Sequence, residues 1–243
     1  MVQGSRGTRL TSSTLIRLLA QLAEVDVPES KQALAEGLSQ WLRWTDAISL
    51  SAALDGRPLG TPRIPSGRPP AAGTAESDFI RVRTTLVNSI VGDFAVPVGK
   101  EYPRGVAQAD FSVLRRRYTA KQQAMETSIT ALRSRLRDVL ASVSPSLAQL
   151  AAVDAVMDQV LGVQERAALS TVPMWLDKHF QRLREALAHE EPDEAGGGSR
   201  RAGRLDVFHE DMQAILLAEL DIRLQPTQGL LDALRMRQPG RNE

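Results

Sequence analysis

The run Arg115-Arg116-Arg117-Tyr118, with Lys121 one helical turn on, sets four cations close together. Groups of this type grip phosphate or carboxylate. Read as a helix at about 100° per residue, the cations between residues 111 and 140 nevertheless do not share a face. Arg115, Arg133 and Arg137 flank one side of an apolar stripe, and Arg117, Lys121 and Arg135 flank the other. That spread suits a helix docked by its apolar face better than one tracking a single phosphate backbone. The stretch holds seven cations and two acids, a net +5, in a chain whose total is only +1. Asp206, Glu210, Asp211, Glu219 and Asp221 form a −5 counterpart without Lys or Arg. The two helices are expected to pack together, with flanking ion pairs that set orientation more than stability. Nucleic-acid binding through the cationic helix is the alternative. It turns on whether Arg115, Arg116 and Arg117 stand free of the acidic helix.

Glu219 and Arg223 are four apart in the order that favours a helical ion pair, close to the stripe of Leu205, Phe208 and Met212, so a partly buried structural pair is expected. His179, His189 and His209 show no four-residue spacing on which a helical metal site could be built. No metal or other cofactor is expected. In "GDFAVPVGKEY" Glu101 follows Lys100 where a phosphate loop needs Ser or Thr, and no serine sits in a G-x-S-x-G elbow. With no cysteine, thiolate metal sites, disulfides and cysteine nucleophiles are excluded. No catalytic constellation emerges, and the chain reads as non-enzymatic, with no small-molecule substrate implied. Trp41 and Trp44, three apart on a helix, read as core residues or as an exposed anchor for a partner.

The elements that position these residues are helices. Phe111, Tyr118, Met125, Leu132 and Val139 recur every seventh residue, with Ile129 and Leu136 filling the alternate seam, so a long amphipathic helix is expected over about 109–142. Ser144 and Pro145 open another helix as cap and first turn. It carries Leu147, Leu150, Val153, Val156, Met157 and Val160 and weakens at Gly162. Leu15 to Leu22, and Leu34, Leu38, Trp41, Leu42 and Ile48, predict an N-terminal helical hairpin over 1–55. Residues 56–74 hold five prolines among glycines and read as a flexible linker. Phe79, Val82, Leu86, Ile90 and Phe94 begin a bundle core over 75–189, which ends with a helix of Leu176, Phe180, Leu183 and Leu187. Residues 190–204 read as a second, glycine-rich linker. Residues 205–243 read as the acidic helix, stopping near Pro226, and a short terminal turn.

At 42% hydrophobic and 4% aromatic residues, the core must come mainly from Leu, Ala, Val and Ile, which favours helices. The fold class expected is all-α: an antiparallel helical bundle with a long central amphipathic helix and two flexible linkers. No run approaches the roughly 18 to 20 apolar residues of a membrane span. Arg17 and Gln21 interrupt the segment where a signal peptide needs a continuous apolar core. A cytoplasmic location without membrane insertion is therefore expected.

The segments "GTRLTSSTLIRLLAQLA", "DFSVLRRRYTAKQQAMETSITALRSRLR" and "ILLAELDIRLQPTQGLLDAL" together resemble the proteobacterial domain-of-unknown-function family numbered 3348. That family carries no catalytic motif to transfer. Its genes lie near those for a membrane protein and an OmpA-like protein, so the resemblance implies a cytosolic accessory component of an envelope-associated assembly. The expected function is a helical interaction or scaffold protein, self-associating or docking to a protein partner through amphipathic helices.

Overall fold

The computed structural model describes residues 14–23, 44–55, 72–94, 111–188 and 197–236, which are helical almost throughout. In chain order the helices are α1 (Thr14–Ala23), α2 (Trp44–Leu54), α3 (Ala72–Phe94), α4 (Phe111–Val143), α5 (Pro145–Leu169), α6 (Val172–Ala188) and α7 (Gly197–Met236). They form the expected helical bundle, and α4 is its axis. Every member of the seven-residue series from Phe111 to Val139 is buried, as are the seam residues Ile129 and Leu136. Helices α3, α5, α6 and α7 all pack on α4. The whole heptad is therefore used inside the chain.

Side-chain pairs fix the directions. Lys121 with Asp93 and Arg135 with Asp78 set α3 antiparallel to α4. Arg133 with Asp154 and Arg166 with Glu126 do the same for α5. Ser144 caps α5 by accepting from the Leu147 N–H at 3.3 Å, with Pro145 in the first turn, and the helix continues through Gly162. A tight turn at Ser170 and Thr171 then breaks the chain without reversing it. Accordingly α6 prolongs the α5 layer, and the next reversal lays α7 parallel to α4. Phe208 meets Phe111, and Glu219 meets Tyr118.

Three expectations shift. Helix α7 does not stop near Pro226 but runs from Gly197 to Met236, so the terminal turn is part of it. Proline in a helix interior loses a hydrogen bond and costs about 3 kcal/mol. Leu220, Leu224, Leu230, Leu231 and Leu234 are buried on both sides of it, and that burial offsets the break. Residues 197–204 and 72–74, expected as linker, are helical, while 56–71 and 190–196 lie outside the described residues. The N-terminal helices dock on different elements. Helix α1 packs on α6 and α7, with Arg182 donating to the Leu22 carbonyl. Helix α2 packs on α5, using Leu50 and Ala53 against Val156 and Val160, and leaves Ile48 exposed. Leu34, Leu38, Trp41 and Leu42, and the side chain of Trp44, lie outside the described residues.

Candidate functional site

The polar residues that sequence reasoning singled out fall into three settings. The first is a layer between α4 and α7 built around a fully buried carboxylate. Glu219 has no solvent exposure, and the Tyr118 hydroxyl donates to its Oε1 at 2.5 Å. The Gln122 amide also donates, at 3.1 and 3.0 Å to its two carboxylate oxygens, and to the Leu169 carbonyl at 3.0 Å. Arg223, 8% exposed, lies 3.9 Å from Glu219 and 3.4 Å from Glu165. The longer separation is a Coulombic contact and not a hydrogen bond. Arg223 Nε and the Thr227 hydroxyl have no partner among the described residues. The expected buried ion pair thus exists, within a network that draws on α4 and α5 as well.

Burial raises the Glu219 carboxyl above the ordinary glutamate value, against the opposing pull of Tyr118, Gln122 and Arg223. Burial, reinforced by Glu219, pushes the Tyr118 phenol upward, so the phenol remains the donor. Because the native state holds the Glu219 proton more tightly than the unfolded chain, this contribution is complete below the ordinary value of 4.5. It is lost as pH climbs through the raised value. Wild type is therefore expected to lose stability relative to Glu219→Gln as pH rises above about 4.5, read from urea midpoints at each pH. A pH-independent difference between the two proteins would rule this out.

The second setting is a clasp between α4 and α5. Arg133 binds Asp154 at 2.6 and 2.9 Å and Asp158 at 2.7 Å, while Arg137 binds each of the same carboxylates at 2.7 Å. Burial draws the Arg137 guanidinium down, but its bonds to Asp158 and Asp154 outweigh this and leave it raised. The two aspartates were not singled out from sequence. Yet Arg137 with Asp154, and Arg133 with Asp158, are both centred between Pro145 and Ser146 at the reversal, and that symmetry was the available signal. A cavity of about 40 Å³ borders the clasp, lined by Glu126, Arg133, Asp158, Glu165, Arg166 and Arg223. It has room for two or three waters and not for an organic substrate. A shallower hollow of about 370 Å³ lies beside Trp175, over which Lys178 sits at 5.0 Å.

The third setting is open solvent. Arg115, Arg116 and Arg117 are exposed and make no ion pair among the described residues. The expected flanking pairs between the +5 and −5 helices do not form, because the flanks of the α4 seam face α3 and α5 while α7 covers the seam itself. Lys121 therefore bonds Asp93 and Ser89 of α3, both at 2.5 Å. Arg135, half-exposed, lies 4.0 Å from Asp78. On α7, Asp211 meets His179 of α6 at 3.1 Å, and Asp221 lies 3.7 Å from Arg83 of α3. Among the described residues no group of three or more His, Asp or Glu is placed to hold a metal ion.

Among the described residues one helical stretch, Pro145–Ala186, is long and apolar enough by length and composition to cross a membrane, with a mean hydropathy of 1.2 in its most apolar window. It contains the α5–α6 break and the two clasp aspartates.

No curated protein and no solved structure matches the chain. A family model described as "Protein of unknown function (DUF3348)" matches residues 1–236. Covering all but the last seven of 243 residues, that match places the chain in the DUF3348 family.

Proposed function

We propose that this chain is a non-enzymatic helical interaction protein that works in the cytoplasm, without entering a membrane, by docking to a protein partner. The observation that carries the reading is the division of the α4 cations. Lys121, Arg133 and Arg137 are spent on acids of α3 and α5, whereas Arg115, Arg116 and Arg117 are exposed and make no ion pair among the described residues. Ion pairing inside the fold explains the first group and leaves the second without a structural task. The α4 heptad no longer argues for self-association, since the chain's own helices fill it. The apolar stretch Pro145–Ala186 is read as bundle, because Asp154 and Asp158 in a bilayer would need their arginines carried in with them.

The test is affinity capture from the native host with wild type and with Arg115, Arg116 and Arg117 all changed to alanine. A partner recovered only by wild type supports the reading. Absence of any partner, combined with a monomer by light scattering, counts against it.

The same unpaired arginines favour a second reading, nucleic-acid binding. With three free cations in place of seven, the slope of log K against log salt on duplex DNA should be near −2.7, at about −0.9 per phosphate neutralised. Absent binding, or a flat response to salt, would dispose of it.

A further inference from the structure

The small cavity beside the clasp is lined by arginines and carboxylates in equal number, so their formal charges cancel. Their hydrogen bonding does not. Arg133 donates from all three of its side-chain nitrogens to Asp154 and Asp158, and the two Asp158 oxygens accept from Arg133 and Arg137. Those two lining residues are therefore spent on the clasp. The other two arginines are under-bonded. Arg223 is 8% exposed, and its Nε has no partner among the described residues. It lies 3.4 Å from Glu165 and 3.9 Å from Glu219, both longer than the roughly 2.7 to 2.9 Å of a charged hydrogen bond. Arg166 is 3.6 Å from Glu126, again beyond hydrogen-bond reach. The two remaining carboxylates, Glu126 and Glu165, are each one-third exposed and can turn to water. Negative charge thus sits at the rim, and the buried group with donors to spare is a guanidinium.

We propose that this cavity binds one small monovalent anion of chloride size, held between Arg166 of α5 and Arg223 of α7. Size permits it, because such an ion replaces about one water and the cavity admits about two or three. A metal cation is not favoured, since among the described residues no group of three or more His, Asp or Glu is placed to hold one. Water would meet the free N–H donors but bring no counter-charge to a guanidinium that is more than nine-tenths buried. An anion does both, at the position where Arg166 adds a second cation. Glu165 competes with it for Arg223, so this carboxylate tunes the affinity downward.

The experiment records the chlorine-35 NMR linewidth of sodium chloride in the presence of the full chain. Wild type is expected to broaden the line, and sodium bromide to reverse the broadening. Pyrophosphate is too large for the cavity and better matched to arginines on the surface, so at equal ionic strength it should leave the broadening in place. Arg166 is half-exposed, which lets Arg166→Met keep its fold, checked by the thermal midpoint. This variant should lose at least two-thirds of the broadening. Glu165→Gln, which removes the competitor and leaves both arginines, should bind chloride at least threefold more tightly. No broadening by wild type would mean that the cavity holds water only, and would overturn the proposal. Broadening that pyrophosphate abolishes, or that survives Arg166→Met, would place the ion elsewhere and overturn it equally. So would unchanged or weaker binding in Glu165→Gln.

Discussion

Replacing Arg223 by Met is expected to destabilise the fold by about 3 to 5 kcal/mol at neutral pH, the range for removing one partner of a buried ion pair. Methionine keeps much of the apolar stem and deletes the charge, so the loss reports on electrostatics more than on packing. Glu219 is fully buried, and Tyr118 and Gln122 give it hydrogen bonds without giving it a positive charge. Once the guanidinium is gone, the carboxylate either stays ionised in an apolar layer or takes up a proton at a pH where glutamate is ordinarily ionised. Both outcomes cost free energy. Glu165 is one-third exposed and can turn to water, so its share of the loss is small. The deficit should shrink as pH falls towards about 4, where a protonated Glu219 no longer needs its counter-ion. Urea unfolding of wild type and Arg223→Met at both ends of that range measures it. A loss below about 1 kcal/mol, the scale of an exposed pair, or one that does not vary with pH, would show that the 3.9 Å contact contributes little.

Such a network marks where reading the sequence reaches its limit. The four-residue spacing of Glu219 and Arg223, beside the Phe208 and Met212 stripe, was enough to expect a partly buried pair. Nothing local could show that Tyr118 and Gln122 complete it from about a hundred residues away. Tyr118 was legible as a core residue from its heptad position. That its hydroxyl would need an acceptor, and find a buried carboxylate, depends on α7 lying parallel to α4. That direction follows in turn from a turn at Ser170 that breaks the helix without reversing it. Local periodicity reports which face is buried and is silent on the neighbour that buries it.

The same limit explains the charge pairing. Opposite totals on two stretches of sequence do match, and the two helices do pack. But the cations sit on the flanks of α4, where α3 and α5 lie, so summed charge predicted the neighbours without predicting the bonds. Pro226 shows the opposite error. Its ring chemistry argued for a stop, whereas the spacing of Leu220, Leu224, Leu231 and Leu234 continues across it in helical phase. A tertiary environment that buries both sides overrides the local penalty. On the short α2 the apolar stripe around Ile48 pointed to one face, but the opposite face, through Leu50 and Ala53, meets α5.

Phe208→Ala is expected to have an effect as large as Arg223→Met, at the other end of the same helix and by a different mechanism. Phe208 has no solvent exposure and stands where α4, α6 and α7 converge. Its ring centroid is 6.2 Å from Phe111 in an edge-to-face arrangement, 5.2 Å from Phe180, and 5.6 Å from the stacked ring of His179. Truncation removes the buried ring and leaves a cavity that three separate helices must close, a combination that costs about 3 to 5 kcal/mol. The lost edge-to-face contact lies within that sum at about 0.5 to 1.5 kcal/mol. Because α5 ends level with Gln122, this end of the bundle is held by α6, and α6 is anchored to α4 and α7 through these rings. Hydrogen exchange should therefore show protection lost first in α6 and the N-terminal half of α7, with the α4–α5 clasp around Arg133 and Asp154 less affected. Uniform loss of protection across all helices would instead mean that the bundle unfolds as one unit and that the aromatic end has no separate stability. The urea midpoint and its slope against denaturant distinguish the two cases, since only partial opening changes the slope.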